Sequence, residues 1–318
     1  MTRYAADLEQ IQAAHNRIQP FVHRTPVLTS SSLDAMAGRS LFFKCENFQK
    51  VGAFKMRGAM NALLCLSAEQ AARGVVTHSS GNFAQAVALA AKLRGVPAHI
   101  VMPSNAPAVK RRAVEGYGAH VLSCEPTLQA RESAAADLVA QTGGTFLHPF
   151  DQDEVIAGQG TVALELMEQV SNLQAVLVPV GGGGLISGMA LALRELDPSI
   201  RIFGVEPAGA DDAARSKAAG EWILQKNPNT VADGLLTSLG QRTWPVIRDC
   251  VEEILIVEDV AILAAMRLIW ERMKIVCEPS AAIVLAGALS DSFLQKKEIG
   301  STALVLSGGN VDLDRIVW

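Results

Sequence analysis

The chain has 318 residues, 49% of them hydrophobic and 19% charged, with a net charge of −4 at pH 7 and a pI of about 5.9. That balance describes a globular protein large enough for two lobes, and its mild acidity argues against nucleic acid or an anionic membrane as partner. No apolar run reaches about 18 residues, and the opening MTRYAADLEQIQAAHNRI has no signal core, so no membrane span and a cytoplasmic location are expected. Five scattered cysteines without a C-x-x-C pair exclude a disulfide framework and argue against structural zinc.

Near the N-terminus, ENFQKVGAFKMRGAM (46–60) sets Lys55 between Phe54 and Met56, just past a Gly-Ala turn. Taken alone, such a lysine reads as a helix-edge surface charge. Short β-rich runs then alternate with helical stretches. GVVTHSS (74–80) leads into NFAQAVALAAKLRG, PAHIVMP (97–103) into AVKRRAVEGYG, and AHVLSCE (119–125) into LQARESAAADLVAQTGG. Further on, QAVLVPV (174–180) precedes ISGMALALRELDP, and SIRIFGVE (199–206) precedes DDAARSKAAG. Nearly continuous apolar strands separated by helices predict an α/β protein whose parallel sheets are covered on both faces. Residues 73–149 hold three strand–helix units and read as a small lobe inserted into a larger one made of 1–72 and 150–318. Ligands in such folds sit at the carboxyl ends of strands.

The sharpest motif is VLVPVGGGGLISG, where Gly181, Gly182, Gly183 and Gly184 separate a strand from a helix beginning near Leu185. A tight turn needs one or two glycines. Four let successive N–H groups converge at a helix N-terminus, which suits a phosphate. The P-loop and dinucleotide patterns are both absent, so a phosphorylated cofactor is expected. Two more strand ends carry polar glycine turns: Ser79-Ser80-Gly81-Asn82 and Ser307-Gly308-Gly309-Asn310. The first reads either as ordinary N-cap chemistry or as a carboxylate cradle. A phosphate cradle, a carboxylate cradle and an amine are the inventory of a pyridoxal phosphate enzyme, and they shift Lys55 from surface charge to reactive amine.

The motifs GAFKMRGA, THSSGNFAQA, VPVGGGGL, VADGLLTSLGQRTWPVIRD, IWERMKIVCEPSA and LSGGNVDL occur in that order and resemble the serine racemase and serine/threonine dehydratase family, nearest its racemase and threo-3-hydroxyaspartate ammonia-lyase branch. The resemblance runs from residue 5 to the end. It implies a two-lobed tryptophan-synthase-β-like (fold type II) enzyme and, by family habit, a homodimer. By position it implies that Lys55 holds the cofactor and takes the substrate α-proton, with Phe54 beside it and Asn82 at the cofactor 3′-oxygen. Gly181 to Leu185 would bind the phosphate, and Ser307 would face the pyridine nitrogen. Ser80 would be the second acid/base on the opposite face, and Ser79, Ser80 and Gly81 would take the substrate carboxylate.

The expected reaction is β-elimination from serine, threonine or threo-3-hydroxyaspartate to an oxoacid and ammonia, with racemisation made possible by Ser80. A hydroxyl opposite the ring nitrogen makes the ring a weaker electron sink, which favours expelling the β-hydroxyl. A β-replacement synthase of the cysteine synthase type and a non-catalytic relative are the alternatives.

The resemblance also implies a divalent cation (Mg²⁺, Ca²⁺ or Mn²⁺) held by Glu206, the Ala210 carbonyl and Asp212. The residues by themselves equally allow Asp211 or Asp212 to cap the next helix. By the same resemblance, Tyr117, Arg131, His148 and Thr237 would fall at pocket or pocket-rim positions that select the substrate. Arg131 reads as an i,i+4 surface partner or as a β-carboxylate binder. Glu278 reads as a helix-start acid or as a group beneath the cofactor ring. Phe83 departs from the family pattern, which has histidine there. With the chain ending at Trp318, no C-terminal regulatory domain is expected.

Overall fold

The computed structural model describes residues 4–79, 81–106 and 108–313. Among these residues ten strands form two sheets: β1 (Val27–Leu28), β2 (Ser40–Cys45), β3 (Val75–His78), β4 (Ala98–Pro103), β5 (His120–Cys124), β6 (Thr145–Phe146), β7 (Ala175–Pro179), β8 (Arg201–Pro207), β9 (Glu253–Val257) and β10 (Ser301–Leu306). The larger sheet runs β1-β2-β10-β7-β8-β9 and is parallel except where β1 meets β2. The smaller, β5-β4-β3-β6, is parallel throughout.

The central strands behave as the apolar runs predict. β7 (AVLVP) and β10 (STALVL) are buried along almost their whole length because helices cover both faces of the large sheet. One face carries Val176, Val178, Ile186 and Met189. The other carries Leu177, Phe203 and the almost entirely apolar helix Pro279–Ala288, whose proline starts the helix where no N–H is needed. β5 departs from that expectation. It is an edge strand whose residues are exposed or half-buried, including an exposed Leu122, since pairing on one side only leaves it beside water.

Three packed helices hold the lysine and the glycine loop in register. Lys55–Leu64 packs on Asp153–Gln169, which packs on Gly184–Leu196. Glycines let these backbones touch. A Cβ on Gly158 would sit 2.7 Å from the Gly58 Cα, and one on Gly188 would sit 2.3 Å from the Ile156 carbonyl. The start of the Lys55 helix and the end of the tetraglycine loop are thereby held in fixed relation through one intervening helix.

Beneath this contact lies a buried ion cluster. Arg57 reaches Glu46 and Glu165, both at 2.7–2.8 Å, and Lys44 reaches Glu165 at 2.7 Å. All four side chains are withdrawn from water. Two cations face two carboxylates, so the cluster closes on itself electrically. No helix among the described residues is long and apolar enough to cross a membrane.

Candidate active site

Lys55 opens its helix, so its side chain leaves from the end facing the strand termini. Its Nζ donates to the Pro149 carbonyl at 2.9 Å and lies 5.0 Å from the Phe54 ring centre and 5.7 Å from that of Phe83. Burial pushes the amine down from 10.5 to about 8, and the Glu278 carboxylate opposes this only in part. A desolvated amine near neutrality keeps a useful fraction of its lone pair free.

Backbone pairing brings the third polar turn against the lysine loop. The Phe54 N–H donates to the Ser307 carbonyl at 3.0 Å, the Gly309 N–H to Gly52 at 2.9 Å, and Ala53 bridges Gly308. Ser307 is buried, and its Oγ donates to the Ser280 carbonyl at 3.5 Å. Asn82 joins the same patch. Its Nδ2 donates to Glu278 Oε1 at 2.9 Å, and its Oδ1 accepts from Asn310 Nδ2 at 2.9 Å. The Asn310 N–H closes the ring by donating to Glu278 Oε2 at 3.0 Å. Burial pushes Glu278 up to about 7, with the Asp233 charge adding to the effect. Glu278 is therefore the hub of a polar ring joining three chain segments, more than a helix-start acid.

The glycine loop completes this side. Thr243 Oγ1 donates to the Gly182 carbonyl at 2.9 Å, and Gly183 adopts φ +84°, a left-handed conformation suited to glycine. A Cβ on Gly182 would fall 2.3 Å from the Phe150 ring, and one on Gly181 would fall 3.3 Å from Thr237 Oγ1. Because Phe150 follows Pro149, the loop and the Lys55 amine meet across two consecutive residues. The helix begins at Gly184 with no side-chain cap, and its first N–H groups have no intrahelical acceptors. Leu185 is buried beside them. Side-chain-free N–H donors at a helix start, next to a desolvated amine, fit a phosphorylated aldehyde.

On the small-sheet side, β3 ends at His78. The Ser79 Oγ accepts from the Gly81 N–H at 3.3 Å. A Cβ on Gly81 would meet nothing within 4 Å. Gly81 itself, not a serine side chain, stands at the N-cap of the Asn82–Arg94 helix, and no side-chain cap bond forms there. Ser80 lies outside the described residues. His148 Nδ1 accepts from the Asp151 N–H at 2.8 Å and the Phe150 N–H at 3.3 Å, which puts its proton on Nε2 when neutral. Its ring lies 6.4 Å from that of His78. Burial, then the charges of Arg131 and His148, push His78 down to about 4. Arg131 is half-buried, and its Nε donates to the Thr127 carbonyl at 3.4 Å, at the N-cap of its own helix. Tyr117 is half-buried against the core that Met56, Phe83 and Ile100 share.

Glu206 and Asp212 come together elsewhere, at the carboxyl end of β8, and Ala210 is buried in the turn between them, its N–H on the Pro207 carbonyl at 2.9 Å. Both carboxylates are buried. Glu206 accepts from the Ala213 and Ala214 N–H groups at 3.1 and 2.9 Å, so it caps the Asp212–Ala219 helix, and Asp211 at the N-cap position makes no side-chain cap bond. Asp212 Oδ2 accepts from Leu239, while its buried Oδ1 has no partner. Burial pushes Asp212 up to about 6. Burial together with the Asp212 charge pushes Glu206 well above the usual carboxylate range. Two such carboxylates with an unbonded oxygen fit a hard cation.

Sequence reasoning passed over neighbours of Lys55. Pro149 and Phe150 carry no motif that marks them. They matter through contacts made across about 94 residues, the separation of the Lys55–Pro149 bond.

A doubly sheeted α/β protein whose helix-opening lysine and tetraglycine loop are joined through Pro149 and Phe150 defines a class, and the chain belongs to it: residues 18–308 match the family described as pyridoxal-phosphate dependent enzyme. Among its relatives, serine racemase of Arabidopsis thaliana is 54% identical over 314 residues, covering 98% of this chain and 95% of its own. The beta-hydroxyaspartate dehydratase of Paracoccus denitrificans (strain Pd 1222) is 49% identical over 317 residues, 99% of each chain. The structure of maize serine racemase superposes with a TM-score of 0.97 at 54% identity, covering 98% of this chain and 95% of that one.

Proposed function

We propose that this chain is an ammonia-lyase that removes the β-hydroxyl of a small hydroxyamino acid (L-serine, L-threonine or threo-3-hydroxyaspartate), releasing a 2-oxoacid and ammonia, with racemisation as a competing outcome. The observation that carries the reading is the Lys55 amine, desolvated and held by a single carbonyl within reach of the glycine loop. Relatives that are a racemase and a hydroxyaspartate dehydratase support the reaction class.

When bound, the cofactor holds the substrate amino group and withdraws electrons from its α-carbon. In this reading the N–H groups of Gly181 to Leu185 bind its phosphate, Asn82 its 3′-oxygen, and Ser307 its ring nitrogen. Phe54 packs beside the amine. Lys55 Nζ takes the α-proton, and the Pro149 carbonyl keeps the amine aimed. Ser79, Ser80 and Gly81 hold the α-carboxylate, with Ser80 as acid on the opposite face when the proton returns there. Arg131, behind the His78–His148 pair, favours a substrate with a second carboxylate, and Thr237 borders the phosphate end. Glu206, the Ala210 carbonyl and Asp212 hold a divalent cation that stabilises β8 and the helix after it. Strand membership of the two sheets supports residues 73–149 as the smaller lobe and 1–72 with 150–318 as the larger. The enzyme acts in the cytoplasm as a homodimer.

The test is a substrate panel of L- and D-serine, L-threonine and both threo-3-hydroxyaspartates. Oxoacid, ammonia and enantiomer are followed together, with and without Mg²⁺. Oxoacid and ammonia in equal amounts, highest with a hydroxyaspartate, is the expected result. Turnover that appears only on adding sulfide would point to a β-replacement synthase. Silence on all five compounds from cofactor-loaded protein would contradict the reading.

A further inference from the structure

Phe83 is the second residue of the Asn82–Arg94 helix and is buried. Its ring centre lies 5.7 Å from Lys55 Nζ, and that of Phe54 lies 5.0 Å away. Both distances are within the roughly 6 Å over which a ring quadrupole attracts a cation. The two rings come from different elements, one from the residue just before the Lys55 helix and one from the helix after β3.

Among the described residues, Lys55 Nζ has one hydrogen-bond acceptor, the Pro149 carbonyl. Apart from the rings, the groups that bear on its charge are Glu278, which favours the ammonium, and His148, which is itself held down by burial and by Lys55. Asn82, beside Phe83, turns its amide to Glu278 and Asn310. An ammonium formed at Lys55 therefore has one oxygen to bond and two ring faces to settle against.

We propose that Phe83 is a positioning residue that, with Phe54, clamps the Lys55 ammonium between aromatic faces and so sets how readily that amine holds the proton it has taken. The proposal rests on the reading of Lys55 as the proton-accepting amine. It assigns a purpose to the phenylalanine that stands where the family pattern has histidine. An imidazole there would offer exchangeable protons and a charge of its own. A phenyl ring offers neither, so the proton on Lys55 has no competing holder on that side.

The clamp favours the charged amine, so its loss lowers the pH at which Lys55 gives up its proton. The experiment follows the labelling of Lys55 by acetic anhydride against pH, read by peptide mass spectrometry on the full chain freed of cofactor, with the exposed lysines as internal reference. Phe83→Leu removes the ring, Phe83→Tyr keeps its face, and recovery of bound cofactor on re-addition certifies the fold of each. The parent midpoint is expected near 8, Phe83→Tyr close to it, and Phe83→Leu lower by about half a unit to one unit. If Phe83→Leu fails to recover cofactor, Phe83→Met, also without a ring, is read in its place with the same expectation. In cofactor-loaded protein the acid-side, ascending limb of the kcat profile, where Lys55 must lose its proton to act as base, should move in the same direction. An unchanged or raised midpoint in the ring-less variant overturns the clamp. The labelling midpoint does not depend on where the cofactor attaches. Attachment to another amine would sink the reading of Lys55 without moving this result.

Discussion

Two lysines 11 residues apart are drawn from water to different degrees, Lys44 fully buried and Lys55 half-buried, and are put to opposite uses. Lys44 Nζ donates to the Thr25 carbonyl, Glu165 and Gln169 at 2.9, 2.7 and 2.9 Å, so every proton of its ammonium has an acceptor. Glu165 is shared with Arg57, which also holds Glu46. Lys55 has a single carbonyl and two rings. Burial alone does not make an amine reactive. What separates the two is how many acceptors hold the proton once burial has made the charge costly.

The comparison can be broken at either end. The largest effect is expected from Lys55→Ala, which should cut ammonia release by roughly 10³-fold or more while urea unfolding stays near the parent. Lys44→Met and Arg57→Met should do the reverse. Each leaves a buried carboxylate without its partner and should cost about 3–5 kcal/mol in urea unfolding, and soluble variants should keep the parent kcat. Equal losses of activity from Lys44→Met and Lys55→Ala would erase the distinction.

A smaller effect sharpens the same contrast at a third buried charge site. Asp212 sits at about 6 in the folded chain against an ordinary 3.8, because burial disfavours its charge. A raised carboxyl contributes stability that is full below about pH 4 and is lost as pH rises through 6. Without divalent cation, stability should therefore fall over that window by an amount on the order of 3 kcal/mol. Mg²⁺ should restore it at pH 7.5 and do little at pH 5. Asp212→Asn should flatten the pH curve and abolish the Mg²⁺ response in thermal melts. Smallest of all, Gly182→Ala must push against the Phe150 ring and should cost about 1–3 kcal/mol, with weaker retention of cofactor seen by dialysis.

Much of this site was legible in the sequence because its signals are local. Four glycines between an apolar strand and a helix, and serine–glycine–asparagine turns at two other strand ends, announce their backbone roles within a few residues. The five strand–helix units read from residues 74 to 220 each form a strand followed by a helix, for the same reason. What escaped depends on distance. Arg57 and Glu165 lie 108 residues apart, and nothing in KMRGAM or LELMEQ marks either as one half of a buried cluster. Glu206 caps a helix that begins six residues later, a duty the pattern offered equally to Asp211 or Asp212. β5 carries the same Val and Leu run that marks a covered strand, and its place at the sheet edge, with no strand beyond it, leaves it half-exposed.

The most direct measurement is borohydride reduction of the cofactor-loaded protein, which fixes the cofactor to whichever amine carries it, followed by peptide mapping. The added pyridoxyl mass is predicted on the peptide containing Lys55 and on no other. Finding it on Lys44, Lys50 or any surface lysine, with the Lys55 peptide unmodified, would contradict the account.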